Sequence, residues 1–166
     1  MARAAFLAFA LLAGCAQAQE MAPPVADFVL IDKSDRTLTL YTAGRATMTV
    51  SGIQLGDAPE DHKQFEGDER TPEGRYTIDY RNPNSAYYLS LHISYPNAAD
   101  RAFARAQGRS PGGAIFIHGQ PNGLPGADAG LRMPGDWTDG CIAVSNGTIA
   151  LLWNAIPDGT PIEIRP

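Results

Sequence analysis

The chain has 166 residues, with 13 Lys and Arg against 18 Asp and Glu, a formal charge of -5, 44% hydrophobic residues and two cysteines. Once an N-terminal leader is set aside, that length suits one domain with a real core. The acidic balance excludes a nucleic-acid binder, whose phosphate contacts need a basic patch, and no basic amphipathic helix is visible.

Residues 1–18 read as an export signal. "MARAAFLAFALLAG" carries a single positive charge, Arg3, then an apolar run too short for a mature transmembrane helix, then small residues. Two processing routes fit. "LAGC", Leu12 to Cys15, has the form of a lipoprotein box that leaves Cys15 acylated, and "AQA", Ala16 to Ala18, fits ordinary cleavage before Gln19. The expected location is therefore outside the inner membrane, in the periplasm, either free or lipid-anchored. On both routes Cys141 has no intramolecular partner, and loss of Arg3 takes the formal charge from -5 to -6. A leftover cysteine in an exported protein points to an intermolecular disulfide or a reactive thiol, or else to a small buried apolar side chain.

A Pro-containing tether over residues 19–26 leads into a domain expected over 27–166. Strands are expected at Phe28–Ile31, Thr37–Tyr41 and Thr47–Val50, joined by the turn-like "DKSDR" and "TAGR". In the middle run Leu38 and Leu40 share one face, as in a half-buried antiparallel strand. Residues 56–74, "GDAPEDHKQFEGDERTPEG", are charged and glycine-rich and read as a surface loop, with His62 in solvent. Further strands are expected at Arg75–Tyr80, Tyr88–Tyr95 and Ala114–His118. Asn97 and Gly108 bracket a short helix, and a second helix spans Thr148–Ala155 from a start near Asn146. An apolar strand follows Cys141, and Pro161–Arg165 is the last. About eight short strands and two modest helices make a mainly β, α+β domain, a twisted mixed β-sandwich or open barrel.

His118 ends the apolar run "AIFIH" where a strand opens into glycine and proline punctuation, and Cys141 stands at the mouth of the next strand behind Gly140. Strand ends hold reactive groups stiffly while exposing them to solvent. The two lie 23 positions apart, which suits neighbouring strand ends bridged by a loop or lid. A neighbouring imidazole would lower the thiol pKa and activate it as a nucleophile. The competing reading is a buried cysteine beside a structural histidine. A zinc site from His92, His118 and Cys141 lacks a paired ligand motif, so neither metal nor cofactor is expected.

"IFIHGQPNG" and "DWTDGCIAVSN", with "LIDKSDRTLTLY" and "GDERTPEGRYTIDYRNPNSAYYLSLHISYPN", resemble the L,D-transpeptidase (YkuD-like) catalytic domains, in particular their YafK-like branch. The resemblance implies a cysteine enzyme acting on peptidoglycan stem peptides that contain meso-diaminopimelate, through a thioester, without cofactor and as a monomer. It implies Cys141 as nucleophile, His118 as general base, the Gly119 carbonyl orienting the imidazole, and amides around Gly140 and Cys141 as oxyanion hole. His92 and Tyr95 fall on a substrate-facing strand, and Trp137, Thr138 and Asp139 border the pocket. Two departures from the pattern stand out: Asp139 occupies a position usually held by histidine, and Ala143 one commonly polar or basic. They leave open a same-fold hydrolase that trims D-alanine or releases a wall-anchored lipoprotein, and a non-catalytic wall-binding module.

Overall fold

The computed structural model describes residues 24–166. The leader, both processing sites and Cys15 lie outside the described residues, and within those residues no helix is long and apolar enough to cross a membrane. Eight strands form one sheet: β1 (Phe28–Asp32), β2 (Thr37–Thr42), β3 (Arg45–Ser51), β4 (Gly74–Ser85), β5 (Tyr88–Ile93), β6 (Ile115–His118), β7 (Ile142–Ala143) and β8 (Thr160–Arg165). Two helices, α1 (Ala98–Ala106) and α2 (Asn146–Ala155), complete the domain. The spatial order is β3-β2-β1-β8-β4-β5-β6-β7. The last strand in sequence is thus central, parallel to β1 and antiparallel to β4.

Chain alternation builds the sheet's two faces. Val29, Ile31, Leu38, Leu40, Ile78, Leu91, Ile93, Ile117, Ile142, Ile162 and Ile164 are each at most 1% exposed and form one core cluster, joined by Ile149, Leu152 and Ala155 of α2. Each such aliphatic side chain contributes roughly 1.5–3 kcal/mol through burial. The opposite face of β5, β6 and β7 is left for polar and aromatic groups. Its two ends approach each other: Gln54, just past β3, bridges the free edge of β7 through Gln54 N–H to Ala143 O (2.9 Å) and Ala143 N–H to Gln54 O (2.8 Å). That bridge curls the sheet into a half-barrel, the open-barrel form of the expected fold.

Both helices begin where the sequence signals them. Asn97 caps α1 by accepting from Ala99 N–H and Asp100 N–H, and Asp100 returns the bond to Asn97 N–H in a reciprocal capping box. Ser145 caps α2 through Thr148 N–H. β4 runs five residues beyond its expected end, through Pro83, because irregular register between Asn82 and Ser85 removes the ladder bond that proline cannot supply.

Candidate functional site

The β6–β7 register fixes which side chains meet. Parallel pairing sets Ile117 beside Ile142 and His118 beside Ala143. Ile117 and Ile142 point into the core, so His118, Phe116 and, one step before β7, Cys141 fall on the other face. There, Cys141 and His118 line one groove of about 810 Å³ together with Ser90, Tyr87, Trp137 and Lys63, Glu66, Gly67 and Glu69 of the long loop.

His118 is buried and oriented. Its Nδ1 donates to the Gly119 carbonyl at 2.7 Å, and since a carbonyl can only accept, the basic nitrogen is Nε2. Tyr87 stacks on the imidazole at 4.5 Å and 30°, while Trp137 meets it edge-on at 5.7 Å. Burial pushes the imidazole pKa below its ordinary value, and the Gly119 hydrogen bond opposes that only in part. The ring is thus a neutral base at physiological pH.

Cys141 is half-buried and free of any disulfide. Its Sγ turns toward the Ala114 carbonyl at 3.6 Å and makes no hydrogen bond to the imidazole. Burial pushes the thiol pKa up to about 11; the Phe116 N–H and the Lys63 ammonium work in the other direction, and the Asp139 carboxylate adds to the rise. The lowered thiol pKa expected from an imidazole contact is therefore corrected: near neutral pH Cys141 is a neutral thiol and His118 a neutral imidazole.

The turn that presents the sulfur is held from within. Thr138 Oγ1 donates to Cys141 O at 2.8 Å and accepts from Gly140 N–H at 3.2 Å. Gly140 has φ +120° and lies against the chain at Arg70, where an added Cβ would stand 2.4 Å from the carbonyl oxygen. That contact explains the glycine before the cysteine: loop 52–73 crosses the turn backbone to backbone. Gly140 N–H, bonded to Thr138, is not free to serve as an oxyanion donor in this state.

The 119–137 segment, expected as loop or lid, is pinned at several points by buried polar groups. Gln120, fully buried, donates from Nε2 to Val144 O (2.7 Å) and Gln54 Oε1 (3.2 Å) and accepts from Met133 N–H (2.7 Å). Gln54 Nε2 donates to Met133 O at 2.6 Å, and Asp136 accepts from Leu55 N–H at 2.8 Å while pairing with Arg36 at 2.6 Å. Gln120→Leu strands these buried partners; we expect a loss of about 2–3 kcal/mol in urea unfolding, with Met133 and its neighbours losing protection in amide exchange.

Three comparisons bear on this arrangement. The model of the L,D-transpeptidase catalytic domain, YkuD, matches residues 26–164. The chain belongs to the L,D-transpeptidase catalytic-domain family. It is 34% identical over 109 residues to YafK of Escherichia coli (strain K12), whose name assigns it provisionally as an L,D-transpeptidase; the match covers 61% of this chain and 40% of YafK. Among solved structures, the helical cell shape determining protein Pgp2 from Campylobacter jejuni superposes with TM-score 0.65 at 27% identity, covering 88% of this chain and 51% of that one. Bd1075 of Bdellovibrio bacteriovorus superposes with TM-score 0.54 at 26% identity, covering 87% and 49%. The chain thus spans about half or less of the length of these relatives.

Within this L,D-transpeptidase domain, Cys141, His118, Trp137, Thr138 and Asp139 all line the groove, with Asp139 exposed at its mouth and Thr138 buried as the turn's staple. Two expected substrate residues do not line it. His92 lies on the same sheet face one cross-strand row away, paired with Phe116; its Nδ1 meets Asp79 Oδ1 at 2.6 Å and its ring stacks on Tyr80 at 4.4 Å. Tyr95 lies beyond the end of β5 and is 3% exposed, with its hydroxyl donating to Pro111 O at 2.9 Å. His62 is not in solvent: it accepts from Glu73 N–H at 2.9 Å and meets Asp100 at 3.2 Å, docking the long loop on α1. Among the described residues no group of three or more His, Cys, Asp or Glu is arranged to hold a metal.

Two groove residues were missed from sequence. Tyr87 forms the face against which the imidazole rests. Lys63, hidden in a run of charges, is a buried ammonium in the groove wall. The signal available for Tyr87 was its place in the two-residue connection between β4 and β5, whose chain end pairs across Ser90 with His118.

Proposed function

We propose that this domain is a cysteine acyl-transfer enzyme that acts on peptidoglycan stem peptides. The observation that carries the reading is the placement of Cys141 and His118 on one face at adjacent strand ends, in an open groove, with His118 Nδ1 tied to Gly119 O at 2.7 Å. Cys141 Sγ attacks the carbonyl of the L-centre of meso-diaminopimelate in its bond to a terminal D-alanine, and His118 Nε2 takes the thiol proton. The tetrahedral intermediate collapses to a thioester as the imidazolium returns that proton to the departing D-alanine amine. An acceptor amine then attacks the thioester, with His118 as base again, and the thiol is regenerated. The neutral state of both groups suits concerted proton removal during attack better than a standing thiolate–imidazolium pair.

Asp139, exposed at the mouth where the family usually places histidine, supports a hydrolytic variant in which water replaces the amine. The leader reading puts the reaction in the periplasm, with Cys15 as a lipid anchor if the lipoprotein route is used. Digestion of purified sacculi with the wild type and Cys141→Ala separates the outcomes. New crosslinks identify a transferase, shortened stems or released lipoprotein a hydrolase. The wild type should also form a one-to-one acyl adduct with a carbapenem by intact mass, and Cys141→Ala none. Wall binding without adduct or product would replace the enzyme by a binding module.

A further inference from the structure

Lys63 sits in a segment of charges and glycines that reads as solvated surface, yet its side chain is 3% exposed. Its Nζ meets Asp68 Oδ1 at 2.8 Å and donates to the Asp139 carbonyl at 3.4 Å, two residues before Cys141. Asp68 gathers the loop around this pair, accepting from Gln64 N–H (2.7 Å), Phe65 N–H (2.9 Å) and Arg70 N–H (3.2 Å). Burial works against the Asp68 charge, but the Lys63 ammonium and these amides outweigh it and hold its carboxyl below the ordinary range.

A buried ion pair is a poor device for merely fastening a loop, since an apolar plug of the same volume often serves as well or better. The surroundings supply another reason for the charge. The titratable or charged groups that share the groove with Cys141 are His118 from the end of β6, Tyr87 from the β4–β5 connection, Asp139 from its own turn, Glu66 and Glu69 from the rim, and Lys63. His118 is neutral, Tyr87 is a phenol and three others are carboxylic acids, so Lys63 is the one standing positive charge among them.

We propose that Lys63 is a positioning residue for acyl transfer: through the Asp139 carbonyl it fixes the turn that presents Cys141, and its ammonium offsets the negative charge that develops on the sulfur. The inference rests on the reading of Cys141 as nucleophile. In the step itself the thiol proton passes to His118 Nε2, the carbon–sulfur bond forms and the carbon–nitrogen bond to the leaving amine breaks. Lys63 keeps its three protons throughout. The opposing influences of Lys63 and Asp139 on thiol ionisation are consistent with this role.

The test is the rate at which iodoacetamide alkylates Cys141 between pH 6 and 10 in the full chain, with unfolding followed in parallel. Lys63→Met should slow alkylation at pH 8 by about threefold to tenfold by raising the ionisation midpoint. Lys63→Arg should restore most of the rate, and Asp139→Asn should speed it. A folded Lys63→Met whose pH profile overlays the wild type overturns the proposal, as does an Arg variant no better than Met. If Lys63→Met does not fold, the Lys63 ¹³Cε resonance of wild type decides. A titration midpoint of that resonance that is lower in Cys141→Ala than in wild type supports the coupling; the same midpoint in both overturns it. Absence of the wild-type carbapenem adduct would instead strike the nucleophile reading beneath it, so the two failures are distinct.

Discussion

Replacing His118 with glutamine should slow carbapenem acylation of Cys141 by about 10²–10⁴-fold, the range for loss of a positioned general base. The size follows from the thiol's resting state. With its pKa pushed up to about 11 by burial, roughly one thiol in 10⁴ is ionised at pH 7, so the reaction needs the base at the moment of attack. The pH dependence follows from the imidazole. Burial depresses the His118 pKa, so its basic form survives below the usual histidine midpoint of about 6.5. The acylation rate should therefore hold steady from pH 8 down through 6.5 and fall only as His118 protonates at lower pH. At the alkaline end, the rate of the glutamine variant should climb steadily toward wild type as the thiol ionises unaided. Acylation followed by intact mass from pH 5 to 9.5 measures both limbs. An acid midpoint above 6.5, or a glutamine variant that keeps wild-type rates while folded, would remove His118 from the reaction. Circular dichroism is the needed control, because the ring also packs between Tyr87 and Trp137.

The site was legible in sequence where local chemistry decides it and obscure where tertiary contacts do. Period-two alternation in "TLTLY" gave β2 its buried Leu38 and Leu40, and Asn97 announced the start of α1. Glycine and proline around "IHG" and "DGC" marked two strand ends, which proved to be neighbours. Strand order was not legible: nothing local in "TPIEIR" says that β8 lies between β1 and β4, since each pairing is with a distant segment. His92 was misplaced by one row. It shares a face with Ser90 and His118, as alternation requires, but two positions along β5 carry it to Tyr80 and Asp79. Tyr95 continues the buried parity of Leu91 and Ile93 and lies in the core with them, so alternation itself takes its ring away from the face of His92 and His118. Lys63, Gln54 and Gln120 look like surface residues because their type is usually exposed. Their burial depends on partners 5 to 81 positions away, which no local pattern contains.

Gly140→Ala should destabilise the fold by about 3 kcal/mol or more and lower the melting temperature by about 6–12 °C. The first cause is conformational: φ is +120°, a region that an L side chain rarely adopts. The second is steric and harder to relieve. The new Cβ would stand 2.4 Å from Arg70 O, a backbone atom, so no side-chain rotation gives way. Nor can the Arg70 segment simply retreat, because it is also packed backbone to backbone against Gly56, next to Gly140, and hydrogen-bonded to it. A Cβ there would lie 1.9 Å from Glu69 O, and Gly56 N–H is bonded to Thr71 Oγ1 at 3.0 Å. Any shift passes to Asp68 and Lys63 on one side and to the Cys141 backbone on the other, so thiol reactivity should fall along with stability. Gly147→Ala is the matched control. It lies in the first turn of α2 with no atom within 4 Å of an added Cβ and no positive φ, and should leave stability unchanged or raise it by up to about 1 kcal/mol. If Gly140→Ala melted within about 2 °C of wild type, close contact between loop 52–73 and the cysteine turn would be refuted, and with it the route by which Lys63 reaches Cys141.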